Sequence, residues 1–406
     1  MKIIRDPIHG EIKIFPIEWL IIDTPLFQRL RFVSQLVGSH FVFPGCTHNR
    51  FSHSLGSMNI ASMYAQKFLN EDKIDYLEYR ILRLSSLLHD ISHGPFSHQF
   101  DETVYKKYNY TNGHDEFKIV VIKKFLPYFI EKKINEKRKN KRLEEGLEQE
   151  IKDLKFQNKN ILEAIIEMLD EVIKVFQDKD SYRFGIVQGT LGADRLDFIW
   201  RDSYFSGIKG FSKGDIERII SNSYIIENKL VYHVKAFDEI FSALFGRFML
   251  YKNLYFHKTA RAADLMVQKI LNLYSEIIDF REYLEDPEKF VLLTDDFILN
   301  LHYHIPKENK NKEKIKEIEK LIERIKDRNL WKMVSQEYMY EENFEKEEDT
   351  GELIVDITEE LNIYEEKGNI FLFDGKEIIN FSSFIKNNPI YNINQPKIRI
   401  KRIYQP

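Results

Sequence analysis

The stretch from residue 84 to residue 101 concentrates side chains that can bind a metal ion and move protons. Within thirteen residues it carries, in order, His89, Asp90, His93, His98 and Asp101. An apolar helical pattern precedes them, and a carboxylate in the last turn of a buried helix is costly unless a charge compensates it. A divalent cation can do this, because imidazole nitrogen and carboxylate oxygen both bind first-row metals.

An isolated His–Asp pair is a weak motif, and a polar helix end with dipole-compatible histidines is the simpler interpretation. The surroundings favour chemistry, because seven of the twelve histidines lie between residues 40 and 114. In a second candidate stretch, Asp194, Asp197 and Arg201 share one helix face at three- and four-residue spacing. A salt bridge between Asp197 and Arg201 explains part of that face, whereas Asp194 follows two small residues that permit close approach.

The composition is that of a globular chain without a strong charge bias. Its 406 residues can bury a large core and form a main domain with an appendage. The formal net charge of -4 gives no global positive field that would favour nucleic acid as the main partner. Cys46 is the single cysteine, and the sequence shows neither a signal peptide nor an apolar run of about 18 residues. We therefore expect a cytoplasmic protein that needs neither a membrane nor nucleic acid.

Hydrophobic periodicity predicts a mainly α fold whose helices carry the candidate residues. The predicted helices run from Pro25 to Leu36, from Arg50 to Phe68, up to Gly94-Pro95, over 161–176 and over 238–273. Alternating apolar and polar residues predict short β-hairpins over 2–14 and 224–234.

Two further segments differ from this helical core. Residues 131–159 are dense in Lys, Glu, Asn and Arg, and we interpret them as a solvated, partly mobile excursion rather than a basic nucleic-acid patch. An amphipathic helix over 306–328 and later strand-like runs predict a small α+β C-terminal unit. We therefore divide the chain into a core, 1–285, and an appendage, 286–406, with a role in oligomerisation or regulation.

Ordered blocks of sequence resemble a known family. The order His53, then His89-Asp90, then Asp194 is the signature of the HD-domain metal-dependent phosphohydrolases. Longer blocks resemble one branch, the deoxynucleoside triphosphate triphosphohydrolases, which includes dGTPase-like proteins and the HD half of the SAM-and-HD-domain enzyme. The blocks are Asp6-Pro-Ile-His-Gly10, Ile22-Asp-Thr-Pro25, Phe27-Gln-Arg-Leu-Arg31, Val42-Phe-Pro-Gly45, His48-Asn-Arg-Phe51, His53-Ser-Leu-Gly56 and His93-Gly-Pro-Phe-Ser-His98.

The resemblance implies an HD-domain helical core with one divalent ion, for which Mn, Fe, Zn, Ni and Mg are all compatible. The implied ligands are His53, His89, Asp90 and Asp194. The residues implied to surround the reacting phosphate are His93, His98, Asp101 and His114. A metal-activated water would attack the α-phosphate of a dNTP, and His114, tuned by Asp101 through a histidine, would protonate the departing 5′ oxygen. The products would be a deoxynucleoside and inorganic triphosphate.

The resemblance also implies two groups of substrate contacts. Arg50, Arg195 and Arg247 would hold the triphosphate, because guanidinium groups match phosphate oxygens. The residues that would meet the deoxyribose are Gln35, Leu36, Asp202 and Tyr255, although Tyr255 alone would pass for a core aromatic residue. Two departures affect phosphate recognition, since Phe198 replaces a tyrosine of the relatives and Arg195 replaces a lysine. His9, His40 and His48 are interpreted as structural or capping residues.

A regulatory site is the least specific part of the resemblance. Asp23, Gln28 and Arg31 match positions at which relatives bind an activating nucleotide, GTP or a dNTP, between subunits. The resemblance therefore implies a homo-oligomer, a dimer or a tetramer. Arg5 replaces an asparagine there, and surface charges near a helix start are the simpler interpretation.

Two other functions remain open from the sequence. A second kind of enzyme would keep the metal site and hydrolyse another nucleotide or phosphoester, although three arginines favour a substrate with several phosphates. A non-catalytic nucleotide sensor or nucleic-acid-binding protein would need stacking aromatic residues beside a continuous basic groove, which the sequence does not show.

Overall fold

Helices form most of the computed structural model, which describes residues 2–137, 140–156, 159–208, 215–306, 310–340, 353–364, 370–388 and 398–406. The first ten helices are α1 (Pro16–Ile22), α2 (Pro25–Gln28), α3 (Arg50–Asn70), α4 (Tyr76–Leu88), α5 (His98–Phe100), α6 (His114–Val120), α7 (Leu126–Lys137), α8 (Lys141–Asp153), α9 (Ile161–Gln177) and α10 (Tyr182–Val187). The others are α11 (Ala193–Ser206), α12 (Ile216–Ser221), α13 (Phe237–Leu250), α14 (Lys258–Ser275), α15 (Arg281–Glu285), α16 (Pro287–Phe290), α17 (Asp295–Asn300), α18 (Lys312–Lys326) and α19 (Phe381–Lys386). The predicted mainly α fold is confirmed.

Among the described residues, the strands form three small sheets. They are β1 (Lys2–Asp6), β2 (Gly10–Ile14), β3 (Ser223–Ile226), β4 (Lys229–His233), β5 (Lys332–Met339), β6 (Ile354–Ile357), β7 (Phe371–Phe373), β8 (Ile378–Asn380) and β9 (Arg399–Gln405). The hairpins β1–β2 and β3–β4 are antiparallel, as predicted. β7 pairs in parallel with β4 and antiparallel with β8, and β9 lies between β5 and β6. A strand from the C-terminal part therefore extends a sheet that begins at the hairpin over 223–233, and the division at residue 285 stays a prediction.

Helix α3 packs against both α4 and α11. The side chains of Asn49 and Asp75 accept backbone N–H groups at the starts of α3 and α4. Gly56 allows the close contact between α3 and α11, because a Cβ atom there would lie 2.0 Å from Asp197 Oδ1. This packing brings the candidate residues of three helices to one place. Among the described residues, no helix is both long and apolar enough to span a membrane.

The charged segment over 131–159 differs from the prediction of a solvated excursion. Its described part forms the end of α7 and the whole of α8, which packs against α1 and α9. The buried apolar side chains of α8 are Leu143, Leu147 and Ile151. Glu150 is also buried, where it accepts the Ile17 N–H at 2.8 Å and pairs with Arg80. The prediction was wrong because apolar residues at helical spacing form one buried stripe even among many charges.

Three predicted helix boundaries also differ from the structure. Helix α2 ends at Gln28 and continues only as a 3₁₀ turn to Phe32, so that the following segment is an irregular loop. Helix α4 ends at Leu88 rather than near residue 94. The long helix over 238–273 is two helices, because the chain breaks near His257, whose side chain caps α14 at the Thr259 N–H. Hydrophobic periodicity by itself does not locate these three boundaries.

Candidate metal and phosphate site

The four predicted metal ligands converge from three directions. His53 lies in α3, His89 and Asp90 follow α4, and Asp194 lies in the first turn of α11. The Nε2 atoms of His53 and His89 are 3.2 Å apart, and Asp194 Oδ1 lies 3.1 Å and 3.4 Å from them. Asp90 Oδ1 lies 3.3 Å from His89 Nε2. Adjacent ligands on an ion with bonds of about 2.1 Å are about 3 Å apart, so these separations fit a metal ion.

The hydrogen bonds of the two imidazoles also fit a cation. His89 Nδ1 lies 2.7 Å from the Ser86 carbonyl oxygen, which only accepts, so this nitrogen carries the proton. His53 Nδ1 lies 2.7 Å from Asp197 Oδ2 in the same way. In the neutral rings, both Nε2 atoms therefore present lone pairs to each other and to Asp194. Electron-rich atoms at this distance require a proton or a metal ion between them.

The carboxylates around His53 favour positive charge at this point. Burial alone lowers the pKa of His53, but hydrogen bonds with Asp194 and Asp197 outweigh it and raise the pKa to about 10. Burial opposes ionisation of Asp90, yet His89 and Arg50 hold the pKa of its carboxyl well below the ordinary value. A metal ion would replace the proton of His53, so metal affinity should increase with pH up to about 10.

Asp197 supports this site from behind. Its carboxylate accepts hydrogen bonds from His53, from Arg201 at 2.8 Å and from His9 at 2.6 Å. The predicted salt bridge with Arg201 is confirmed, and His9 also contacts this carboxylate. Asp6 pairs with Arg201 at 2.9 Å, which connects the first hairpin to the site.

Replacing Asp197 by Asn is expected to weaken metal binding about 10- to 100-fold, because the His53 ring loses a charged acceptor that orients it. Metal titration followed by fluorescence or calorimetry measures this change. Asp170→Asn, an exposed acid on α9, is the control and should bind metal as wild type does. Wild-type affinity in a folded Asp197→Asn variant would contradict an orienting role for this carboxylate.

A second cluster adjoins the first and contains the residues predicted around the reacting phosphate. Asp101 Oδ2 accepts hydrogen bonds from His114 Nδ1 at 2.7 Å and from His98 Nδ1 at 3.1 Å. The predicted indirect link was therefore wrong, because Asp101 contacts His114 directly. His93 stacks on His114 with ring centroids 3.5 Å apart, and its Nε2 lies 3.4 Å from Asp90 Oδ1. The side chain of His98 is 65% exposed, so this ring reaches solvent.

The environments of His93 and His114 shift the pKa values of the two rings in opposite directions. Burial lowers the pKa of His114, but the charge of Asp101 outweighs burial and the pKa is raised. Burial and the nearby charge of Arg50 keep the pKa of His93 well below its ordinary value. His114 is thus set to hold a proton beside a neutral imidazole, which is the division expected of a site with a dedicated general acid.

The three predicted phosphate-binding arginines lie on α3, α11 and α13. Arg50 donates to Asp90 Oδ2 at 2.6 Å and to Ser97 Oγ at 2.9 Å, so it lies at the candidate metal site. Arg195 follows Asp194 directly in α11. The guanidinium of Arg247 lies 4.7 Å from the centre of the Tyr251 ring.

The residues predicted to meet the sugar also come together. Asp202 accepts a hydrogen bond from Tyr255 Oη at 2.5 Å and contacts His48 Nε2 at 2.8 Å. Leu36 and Tyr255 pack on the same small apolar cluster, and the Gln35 N–H donates to the His48 carbonyl oxygen at 3.2 Å. His48 is the residue that the sequence did not assign to this group. Its position in a sequence block just before His53 was the available signal.

The predicted regulatory residues lie in and around α2, with Asp23 at the end of α1, Gln28 at the end of α2 and Arg31 in the 3₁₀ turn that follows. Gln28 Nε2 donates to the Ile22 carbonyl oxygen, and Arg31 Nε donates to Gln28 Oε1, both at 2.8 Å. The guanidinium of Arg31 covers the Phe51 ring at 3.5 Å, and Asp23 accepts the indole N–H of Trp19 at 2.9 Å. Nucleotide regulation and a homo-oligomer stay predictions.

The comparison with family models agrees with this geometry. The model described as HD domain matches residues 50–173, and the model described as HD associated region matches residues 215–372. The chain belongs to the HD-domain family. The HD-domain match contains three of the four predicted ligands, and Asp194 lies between the two matched regions.

Known relatives extend the comparison. The chain is 27% identical over 342 residues to the Deoxynucleoside triphosphate triphosphohydrolase SAMHD1 homolog of Dictyostelium discoideum, with 82% of this chain and 60% of that protein covered. It is 28% identical over 362 residues to human Deoxynucleoside triphosphate triphosphohydrolase SAMHD1, with 83% and 55% covered. The chain therefore spans little more than half the length of these relatives. A crystal structure of a hypothetical protein from Aquifex aeolicus has the same fold, with a TM-score of 0.73 at 24% identity over 100% of this chain and 96% of that one.

Proposed function

We propose that the protein is a metal-dependent dNTP triphosphohydrolase that converts a dNTP into a deoxynucleoside and inorganic triphosphate. The observation that carries this proposal is the juxtaposition of two clusters, a His/Asp set fit for a divalent ion and the Asp101–His114 pair. His93 connects them, since it lies 3.4 Å from Asp90 and stacks on His114. The names of the relatives from Dictyostelium discoideum and human support the dNTP as substrate.

Different side chains would have different roles in the hydrolysis of the phosphate ester. A divalent ion held by His53, His89, Asp90 and Asp194 would neutralise phosphate charge and supply an activated water, and Mn, Fe, Zn, Ni and Mg remain candidates. His114 would protonate the 5′ oxygen as the bond to the α-phosphorus breaks. Asp101 holds the His114 ring by the Nδ1 hydrogen bond, so that Nε2 faces away from it as the donor. Arg50, Arg195 and Arg247 would contact the phosphate oxygens that leave as triphosphate.

The sugar would lie against the group formed by Gln35, Leu36, Asp202 and Tyr255. A ribose 2′-hydroxyl at the Tyr255 ring and Leu36 would lose water without gaining a hydrogen-bond partner. The 3′-hydroxyl, which dNTPs retain, has better partners, because Asp202 accepts hydrogen bonds and the buried Gln35 Oε1 has no partner among the described residues.

The test is the ratio of kcat/KM for dGTP and GTP in wild type, Tyr255→Phe and Tyr255→Ala. We expect wild type to prefer dGTP by at least about 100-fold, because a buried hydroxyl without a partner costs about 1–3 kcal/mol and steric exclusion adds to it. Tyr255→Phe keeps the ring and should keep most of the preference. Tyr255→Ala removes the ring and should reduce the preference for dGTP over GTP.

Equal wild-type values for dGTP and GTP would contradict the sugar assignment. They would favour the second candidate, an HD-domain phosphohydrolase for another nucleotide or phosphoester, which the His/Asp cluster supports equally well. Release of pyrophosphate or monophosphate instead of triphosphate would also favour it. Nucleotide binding without metal-dependent turnover would favour the non-catalytic alternative.

A further inference from the structure

The side chain of Asp295 connects two loops that carry proposed active-site residues. Its Oδ2 atom accepts the Ser34 N–H at 2.9 Å, and its Oδ1 atom accepts the Phe96 N–H at 2.6 Å. Ser34 immediately precedes two residues assigned to the sugar. Phe96 lies between two of the histidines placed around the reacting phosphate. We call residues 34–36 the sugar loop and residues 91–97 the phosphate loop. One carboxylate therefore holds the sugar loop and the phosphate loop at a fixed distance.

The phosphate loop needs such a constraint, because its backbone is unfavourable by itself. Phe96 and Ser97 have φ values of 59° and 52°, in the left-handed region that side chains with a Cβ atom rarely adopt. Residues in this conformation persist where surrounding contacts hold them, and they occur often at functional sites. The Asp295 hydrogen bond ends on one of these two residues.

A second link between the same loops leads to the metal site. Ser97 Oγ donates to the Ser34 carbonyl oxygen at 2.6 Å and accepts from Arg50 Nε at 2.9 Å. Arg50 in turn pairs with Asp90, a proposed metal ligand, at 2.6 Å. A shift of the Phe96 turn would therefore move the arginine that contacts the metal site.

Arg29 holds the same segment from the other side. Its buried guanidinium donates to the Leu293 carbonyl oxygen at 2.8 Å, to that of Ile91 at 3.1 Å and to that of His93 at 2.7 Å. The chain around residues 293–295 is thus joined to the loop over 91–97 at both of its ends. This arrangement places Asp295 in a segment that is itself anchored.

We propose that Asp295 is a positioning residue of the active site, which holds the Ser34 and Phe96 loops at the separation that lets both meet one substrate. The expected effect on kcat and KM rests on the proposed function, whereas the expected effect on the two loops does not. Asp295 lies in the region assigned to the appendage and inside the match to the HD associated region, not in the HD-domain match. The HD core therefore depends on the C-terminal part for the geometry of its site.

Asp295→Asn tests this proposal with little change of shape. The amide offers one acceptor oxygen, and its NH2 group would face the second backbone N–H, so one of the two loop contacts is lost. We expect kcat for dNTP hydrolysis to fall at least about tenfold, since small displacements of reacting groups have effects of this order or larger. KM for the dNTP should rise and metal content should stay unchanged. Asp296→Asn, at an exposed position in the same helical turn, should match wild type in all three quantities.

Hydrogen–deuterium exchange provides a readout that does not depend on the reaction. The amides of residues 34–36, 94 and 96–98 should exchange faster in metal-loaded Asp295→Asn than in Asp296→Asn, with the rest of the chain unchanged. If wild type fails to hydrolyse dNTPs, the proposed function fails, while this exchange result still decides the role of Asp295.

Two results would overturn the proposal. The first is wild-type exchange in both loops of a folded Asp295→Asn variant. The second is a lower stability of Asp295→Asn while its folded, metal-loaded molecules keep the wild-type kcat and KM. That result would show that Asp295 has a purely structural role. If Asp295→Asn does not fold, Ser97→Ala provides a second test, because it removes the other link between the loops. This variant should increase amide exchange at residues 34–36. Unchanged exchange at these residues would contradict the proposed coupling of the loops.

Discussion

Asp194→Asn is expected to strip the divalent ion from the purified protein and to lower kcat for dNTP hydrolysis by more than about 100-fold. The change removes the negative charge of a carboxylate whose Oδ1 lies 3.1 Å from His53 Nε2 and 3.4 Å from His89 Nε2. Loss of groups that merely orient ligands costs about 10- to 100-fold, so loss of the charge of a ligand itself should cost more. Elemental analysis of the protein and initial rates with a dNTP measure the two effects.

The fold should survive this change, because the Asp194 side chain is 22% exposed and its removal leaves no large cavity. The exposed Asp170→Asn variant serves as control and should keep both metal and activity. A metal content equal to that of wild type in Asp194→Asn would contradict the proposed ligand set. Retained hydrolysis in metal-free Asp194→Asn would contradict the metal-dependent reaction as a whole.

His114→Gln is expected to lower kcat by about 100- to 10,000-fold while metal content and KM change little, the effect of losing a general acid. His114 contacts Asp101 rather than any of the four proposed ligands, so the metal site should remain complete. An artificial substrate with p-nitrophenolate in place of the deoxynucleoside needs no proton on its leaving group. For that substrate the decrease in kcat should be much smaller. The decisive measurement compares the decrease in kcat for the dNTP with the decrease for the artificial substrate.

His98→Gln is the matched control, because His98 shares Asp101 but has an exposed ring. A larger loss in His98→Gln than in His114→Gln would transfer the role of acid to His98. The pH profile gives an independent check. Because the pKa of His114 is raised, activity should fall only as pH rises through that raised value. Asp101→Asn removes the charge that raises it, so the fall should move to lower pH.

The sequence by itself contained the types and order of the chemical groups. Residues 89 and 90 follow an apolar helical stretch, and the order of histidines and aspartates pointed to a family that the comparison with family models confirms. Local patterns also contained the two hairpins and the starts of α2 and α3, because alternation, capping and proline act over a few residues.

Local patterns failed where distant contacts decide the conformation. Helix α4 ends before His89, and the turn that follows is held by Arg29, a residue about 60 positions away. Helix α8 has the composition of a solvated segment, yet its Glu150 is buried and pairs with Arg80. Its charges dominate the composition, whereas a single buried stripe determines its packing.

The tertiary structure alone decided which groups act together. Asp197 contacts His53 across 144 residues, His48 contacts Asp202 across 154, and Asp295 contacts Phe96 across 199. A carboxylate has the same chemistry wherever it stands in a sequence, so nothing local separates Asp295, which joins two active-site loops, from its exposed neighbour Asp296. The difference arises only when folding brings two backbone N–H groups within hydrogen-bonding distance of one of them, because a hydrogen bond depends on separations of about 3 Å in space and not on separation along the chain.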